Sequence, residues 1–451
     1  MQLLKTKQTF SLFVLAVLVL AALACTATYA AAQAGSLDRT FGNNGIVSTS
    51  MRTAYAVAIQ SDGKIVLAGY GVTNSQAGGM LTRLNTDGSL DASFGSGGVA
   101  ELGFAYFGLF AMAIQSDGKI VVAGGTDAEQ GGGYTYFAQV ARVESNGSLD
   151  TSFGSGGITT TTAIGFTPDF TGPESLALAL QNNGSILLAS SYSNLMARFT
   201  SGGQLDTTFG SGGIVNLANP GQNTSSAPTQ IAVDKNGKIL VASGSVAPTP
   251  TVVAGTISRY NSNGSLDTTF GAAGTTASVA SASALLLQSD GRIVIAGSLT
   301  SKLNAPPASN DAGFGVVRYS ASGALDRTFG KGGVAVADFG KNAPLSGAFA
   351  LAIQSNNELV AAGAAAQGAF NLSFDSSFGL ARFTGAGVLD TSFGSGGLVT
   401  TTLISGSTNV YSYVNGLAIQ SDGKIVAAGN TLVGQGFKTG TGAYVARYLA
   451  Q

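Results

Sequence analysis

The sequence predicts an all-β protein, a β-propeller of seven four-stranded antiparallel blades. Three observations lead there: a composition built for strands and tight turns, two short phrases repeated along the chain, and an even division of spacings into fixed and variable ones. The 451 residues include 65 Gly, 24 Phe and 13 Tyr, with only 10% charged side chains. Apolar residues make up 45%, too many for a disordered chain. Val, Ile, Thr and aromatics broken by Gly, Asn and Asp favour strands over helices.

The repeats fix the period. "LDxTFGxxG", or its Ser form, occurs seven times, with Asp38, Asp91, Asp150, Asp206, Asp267, Asp326 and Asp390 spaced 53 to 64 residues apart. The phrase "AIQSDGKIV" starts at residues 58, 113 and 418, with close variants between. A period of this length means an array of supersecondary units. In the first unit, strands are predicted from Tyr55 to Gln60, Lys64 to Gly69, Met80 to Asn85 and Ser89 to about Val99. Gly in the "SDG" and "TDG" turns supplies the positive φ of tight hairpins. A sheet with two apolar faces must stack on its neighbours, and radial stacking gives the propeller.

Spacing then separates the two ends of each unit. The position of Gln60 precedes that of Gly69 by nine residues in every unit, and Arg83, Arg142, Arg198, Arg259, Arg318 and Arg382 precede their Asp by eight. Only the connection from the fourth strand to the next first strand, and that from second to third, change length. Both fall on one side of the disc, where repeat proteins place binding loops. The N-terminal "GSLDRTFGNNG" reads as a fourth strand without its first three, and "YVARYLAQ" as a third strand without its fourth. Leu37 to Val47 is therefore expected to pair with Tyr444 to Leu449. Gly35 to Leu37 following Tyr448 to Gln451 then restores the spacing of eight between Arg447 and Asp38.

The first segment reads as targeting. Lys5 and Lys7 precede an apolar run from Phe10 to Ala24, and Ala32-Gln33-Ala34 fits an A-x-A cleavage site, so residues 1–34 are expected to be a signal peptide and 35–451 a single exported domain. Lipidation at Cys25, the sole cysteine, is the alternative. No membrane span is expected after cleavage, and a monomer is expected, secreted, periplasmic or at the cell surface.

At "LDTSFGSGG" and "AIQSDGKIV" the chain resembles the delta-60 repeat family of bacterial secreted proteins, thought to form β-propellers, and more distantly the NHL-type propellers. The resemblance covers about 36 to 451. It implies the fold and brings no shared catalytic residues.

Chemistry is bounded by composition. Without His there is no imidazole base or ligand, and without a cysteine in the exported domain there is no thiolate nucleophile. Carboxylates at Asp127, Glu129, Asp169, Glu174, Asp311, Asp338 and Asp375 lie in variable connections without a recognisable glycosidase pairing. Removing the leader leaves 20 basic and 23 acidic residues, with no basic cluster for nucleic acid. The seven Asp, with the six Arg above and Arg447, are read as structural pairs, since a residue needed in every unit belongs to the unit. Calcium at "NTDGSLD" is the alternative, against which stand counterparts such as "TSGGQLD" that lack the oxygen ligands; no cofactor is expected.

The variable side carries the positive signal, with aromatics in "ELGFAYFGLF", "GGGYTYF" and "GFTPDF". Tyr106, Phe107, Tyr134, Tyr136, Phe166 and Phe170 are the candidate ligand contacts, aromatic area suited to an extracellular protein or glycan. The expected function is a binding module. The alternatives are a carboxylate-dependent enzyme acting on extracellular saccharides at the central channel, and a purely structural surface module.

Overall fold

A computed structural model describes residues 33–73, 76–105, 108–130, 133–165, 176–217, 226–245, 255–278, 282–300, 312–340, 346–367, 375–404, 410–434 and 439–451. These contain twenty-eight strands and no helix. After the short β1 (Ile46–Ser48), five antiparallel sheets of four sequential strands follow. The first holds β2 (Met51–Ile59), β3 (Ile65–Thr73), β4 (Gln76–Leu84) and β5 (Val99–Ala105), and the second β6 (Leu109–Ile114), β7 (Ile120–Gln130), β8 (Gly133–Val143) and β9 (Ile158–Gly165). The third holds β10 (Leu176–Leu180), β11 (Ile186–Ser190), β12 (Leu195–Phe199) and β13 (Ile214–Asn216); the fourth β14 (Ser226–Val233), β15 (Ile239–Ser245), β16 (Gly255–Tyr260) and β17 (Thr275–Ser278). The fifth holds β18 (Ala284–Leu287), β19 (Ile293–Thr300), β20 (Ala312–Tyr319) and β21 (Val334–Ala337).

The remaining strands form one eight-stranded sheet. It joins β22 (Gly347–Ile353), β23 (Leu359–Gln367), β24 (Asp375–Phe383) and β25 (Leu398–Thr401) to β26 (Val410–Ile419), β27 (Ile425–Val433), β28 (Thr439–Tyr448) and β1. Its two halves meet at one parallel bridge, Ser376 with Tyr411, where the Ser376 hydroxyl donates to the Ser412 carbonyl and accepts from its N–H, both at 2.9 Å. β1 pairs antiparallel with β28, Ile46 opposite Ala446 and Ser48 opposite Tyr444, and Leu37 bridges Tyr448. The N-terminal segment thus supplies the outer strand beside the C-terminal one.

Tight turns follow from local chemistry. In "QSDGK" the Asp62 carboxylate accepts the Lys64 N–H at 3.1 Å, and Gly63 takes φ of 83°. Where the sequence reads "QSNNE", Asn357 occupies that left-handed position at φ 68°, a conformation asparagine tolerates. The "LDxTFGxxG" segment corrects one expectation. Ser89 to Gly98 is a run of turns rather than a strand, and the fourth strand of the first sheet begins at Val99. Asp91 organises that run by accepting the Ser93 N–H at 3.1 Å and its hydroxyl at 2.7 Å. Those bonds turn the chain inward and bury Phe94 completely.

Apolar clusters sit between successive sheets. One joins Val66, Leu81 and Phe104 of the first sheet to Val122 of the second, and another joins Val140 to Leu188 of the third. Within the eight-stranded sheet, Leu380 and Phe393 pack with Val414 and Tyr448. A further cluster brings Met51, Ile65 and Met80 against Val426 and Val445, so the first sheet packs on the last strands. Burial between sheets, at roughly 25 cal/mol per Å² of apolar area, is the main stabilising contribution in a fold without disulfides.

Candidate functional site

Two ends of the strands are built differently. At the turn end, each repeated Arg donates from Nε to the Oδ2 of its Asp at 2.6–3.0 Å: Arg83–Asp91, Arg142–Asp150, Arg198–Asp206, Arg259–Asp267, Arg318–Asp326, Arg382–Asp390 and Arg447–Asp38. The same guanidinium lies over the buried Phe of its repeat, 4.5–4.9 Å from the ring centroid, a cation–π contact. Its Nη1 reaches forward to a turn carbonyl in the next unit. Arg83 donates to Ser145, Arg142 to Ser201, Arg198 to Ser262, Arg259 to Ala321, Arg318 to Gly385, Arg382 to Ala450 and Arg447 to Thr86. One side chain therefore fixes its own hairpin and the adjoining unit.

Lysines extend four of these pairs. Lys64, Lys119, Lys238 and Lys424 place Nζ 2.7–3.4 Å from Oδ2 of Asp91, Asp150, Asp267 and Asp38. Lys119, the Ser152 hydroxyl and Arg142 hold the Asp150 carboxyl well below the usual carboxylate range, against burial, which raises it. Ser185 and Glu358 occupy the lysine position in two units. In the first of these the Asp206 side chain is 18% exposed, compared with 5% for Asp150.

The other end is irregular. A cavity of about 220 Å³ is lined by residues of β2, β6, β10, β14, β22 and β26 and by Ser283, Ala284 and Leu285 at the start of β18. Three layers can be counted back from the residue that precedes each "SDG"-type turn. Deepest are Val57, Met112, Leu178, Leu285, Leu351 and Leu417; above them are Ala56, Ala111, Ala177, Ala284, Ala350 and Gly416, with Gln230 alone long and polar. The outermost layer has Tyr55, Phe110, Leu176, Ser283, Phe349 and Asn415, and there the units share least. A recess of about 480 Å³ at the turn end is larger, but its lining of Gln181, Arg198, Thr208 and Asn236 repeats positions found in the other units.

Four residues of the outer layer sit at bulges. The pairing register skips Tyr55 between Ala54 and Ala56, Phe110 between Leu109 and Ala111, Phe349 between Ala348 and Ala350, and Asn415 between Val414 and Gly416. It also skips Thr229 in β14. A bulge leaves one residue outside the ladder and re-aims its side chain. Three of the bulges leave no room for a side chain on the neighbouring strand, whereas Ser243 stands opposite the skip at Thr229. A Cβ on Gly69 would come within 2.0 Å of the Thr53 carbonyl oxygen, on Gly363 within 1.9 Å of Gly347 and on Gly429 within 2.0 Å of Tyr413. Ser190 stands in that position where β10 pairs regularly.

Aromatic and amide groups gather here. Tyr55 and Phe110 lie 5.1 Å apart and Phe349 and Tyr413 6.1 Å. Asn415 Nδ2 donates to the Ala54 carbonyl, Asn430 Oδ1 accepts the Ala54 N–H, both at 2.8 Å, and Asn430 Nδ2 donates to the Tyr413 hydroxyl at 3.3 Å. The buried Asn415 Oδ1 has no hydrogen-bond partner among the described residues. Burial pushes the Tyr411 hydroxyl up to about 12 and raises that of Tyr413, partly opposed by Asn430. Among the described residues, no charged side chain lines this cavity and no group of three or more potential metal ligands occurs.

Of the six candidate contacts, Tyr106, Phe107, Phe166 and Phe170 lie outside the described residues. Tyr134 contributes backbone to β8, and Tyr136 is half-buried against the cluster between the second and third sheets. Asp169, Glu174 and Asp311 also lie outside, while Asp338 and Asp375 accept backbone N–H groups of Gly340 and Val410. The bulged residues were not singled out from sequence. The repeated Gly opposite them was the available signal.

A family model described as "Domain of unknown function (DUF5122) beta-propeller" matches residues 60–94, 115–153, 181–209, 235–270, 288–329 and 420–451, so these units are β-propeller repeats. No curated protein matches the chain. Among solved structures, the chain is similar to virginiamycin B lyase from Staphylococcus aureus at 12% identity, covering 89% of this chain and 98% of that one with a TM-score of 0.45. It is also similar to the polysaccharide lyase Uly1, at 13% identity over 94% of each chain with a TM-score of 0.43. The extracellular domains 1–2 of Drosophila Semaphorin 1b align at 10% identity over 93% of this chain and 88% of that one, TM-score 0.45. No helix among the described residues is long and apolar enough to cross a membrane.

Proposed function

From a chain made of β-propeller repeats, we propose an exported seven-bladed propeller that binds an extracellular protein or glycan over its channel, on the side of the variable connections. The eight-stranded sheet counts as two blades sharing one bridge, and β1 beside β28 completes the last blade. The observation that carries the binding role is the contrast at equivalent positions. The turn end repeats the same Asp, Arg and Phe in every unit, whereas the outermost layer of the cavity holds Tyr55, Phe110, Leu176, Ser283, Phe349 and Asn415. A single distinct site needs unlike residues, and aromatic rings beside amides suit a surface with apolar faces and hydroxyls. Among the described residues no carboxylate lines the cavity.

A screen of glycans and extracellular proteins tests the proposal, using the wild type, Phe349→Ala and Arg142→Ala. The wild type is expected to retain a discrete ligand, Phe349→Ala to weaken it about tenfold or more, and folded Arg142→Ala to keep it. Saccharide turnover, or binding unchanged by Phe349→Ala and by Gln230→Ala, overturns it.

A further inference from the structure

We propose that the leader is removed between Ala32 and Gln33, so that Ala34 stays in the folded protein; the claim rests on the export reading. It departs from the cleavage after Ala34 that the A-x-A pattern first suggests. Ala30-Ala31-Ala32 supplies the same small residues at the two positions a leader peptidase requires.

Between β28 and the N-terminal segment no continuous turn joins the strands, whereas one does in the other units. In the intact turn of the first sheet, Asn85 N–H donates to Ser89, Gly88 N–H to Asn85, and Gly42 N–H to the Asp87 carbonyl at 2.7 Å. The two chain ends reproduce this set. Leu449 N–H donates to Ser36 and Gly35 N–H to Leu449, both at 2.9 Å, and Gly394 N–H donates to the Ala34 carbonyl at 2.8 Å. Gly35 has φ of 83° and Gly88 of 87°. Ala450 matches Thr86, since its carbonyl accepts Arg382 as that of Thr86 accepts Arg447. Ala34 therefore stands in the place of Asp87. Gln451 is exposed and spare.

The count of seven residues between Arg447 and Asp38 holds, but it is composed of Tyr448 to Ala450 and Ala34 to Leu37. In five other units a turn carbonyl does what Ala34 does: Asn146, Gly202, Asn263, Ser322 and Ala386 accept from Gly95, Gly154, Gly210, Gly271 and Gly330 at 2.7–2.9 Å. Ala34 is also buried against Phe393, and Gln33 Nε2 donates to the Gly394 carbonyl at 2.5 Å. Cleavage after Ala34 discards these contacts. Cleavage after Ala32 keeps them all: water adds across the Ala32–Gln33 peptide bond, leaving a carboxylate on Ala32 and a free amine on Gln33.

Two measurements test this. Mass spectrometry of the N-terminal peptide, after expression with the leader in a bacterium that exports proteins, is expected to find Gln33 first. A start at Gly35, or at a lipidated Cys25, overturns the assignment, and an uncut chain overturns it together with the export reading. Independently, chains starting at Gln33 and at Gly35 are made without a leader. The first is expected to melt higher by about 1–2 °C; equal melting overturns the place given to Ala34 whatever becomes of export.

Discussion

The turn end and the bulged end of the strands use sequence in opposite ways. At the turn end, one guanidinium meets one carboxylate, one Phe ring and one carbonyl of the next unit, and the set is the same at every repeat. At the bulged end, the repeated element is an absence, the missing side chain of Gly69, Gly363 or Gly429, and the residue it makes room for differs each time. Identity of residues marks what holds the units together. Identity of backbone shape alone marks where residues are free to diverge.

The largest effect is expected at the bulge glycines. Gly363→Val and Gly429→Val are each expected to cost about 4 kcal/mol or prevent folding, because overpacking against backbone has no flexible atom to yield. Ser190→Gly, in a unit without a bulge, is expected to cost under about 1 kcal/mol. Denaturant unfolding measures both, and equal costs would remove the bulge from the argument.

Next comes the turn end. Arg142→Ala leaves the Asp150 carboxylate, nearly fully buried, without its guanidinium partner and is expected to cost about 3 kcal/mol. A double-mutant cycle with Asp150→Ala should show coupling above about 1 kcal/mol. Coupling near zero means the pair does not act as one unit.

Acid provides a global version of that experiment. The carboxyls of Asp91, Asp150 and Asp267 all lie below the usual range: in Asp91 burial raises the value but Ser93, Lys64 and Arg83 outweigh it, and in Asp267 Lys238 and Thr269 dominate. The native state then binds fewer protons than the unfolded chain, so stability is complete above the unfolded value of about 4 and is lost as pH falls further. With no His, stability is expected to be flat from about pH 5 to 8. A thermal melting series against pH checks this, and a transition near pH 6.5 would contradict it.

The smallest effect is expected at the lysine position of the turn end. Ser185→Lys gives the third unit the ammonium that four others carry, and is expected to stabilise by about 0.5 kcal/mol, little because such lysines are partly exposed. A decrease in stability would show that the position of Ser185 differs from that of Lys119.

Much of the turn end was legible in the sequence, because seven copies of Asp, Arg and Phe at one spacing leave few arrangements. The forward reach of Arg142 to Ser201 was not, since a carbonyl has no letter of its own. The turns of Ser89 to Gly98 looked like a strand because Leu90 and Phe94 are apolar, though Asp91 bends the chain between them. The bulged layer was hidden for a different reason. Tyr55, Phe110, Phe349 and Asn415 share a backbone irregularity but no single residue type, so a search for repeated letters passes over them.

The forward direction of the arginine contacts also makes each unit-to-unit contact head-to-tail. Each unit offers a guanidinium on one side and a turn carbonyl on the other, a head-to-tail interface that ends only because Arg447 finds Thr86 of its own chain. A molecule in which that last contact opens presents both halves of it at once. Such heterologous ends join between chains as well as within one, giving exchanged dimers or open filaments. In the proposed ring, the meeting of Arg447 with Thr86 is where the series of contacts returns to its own chain.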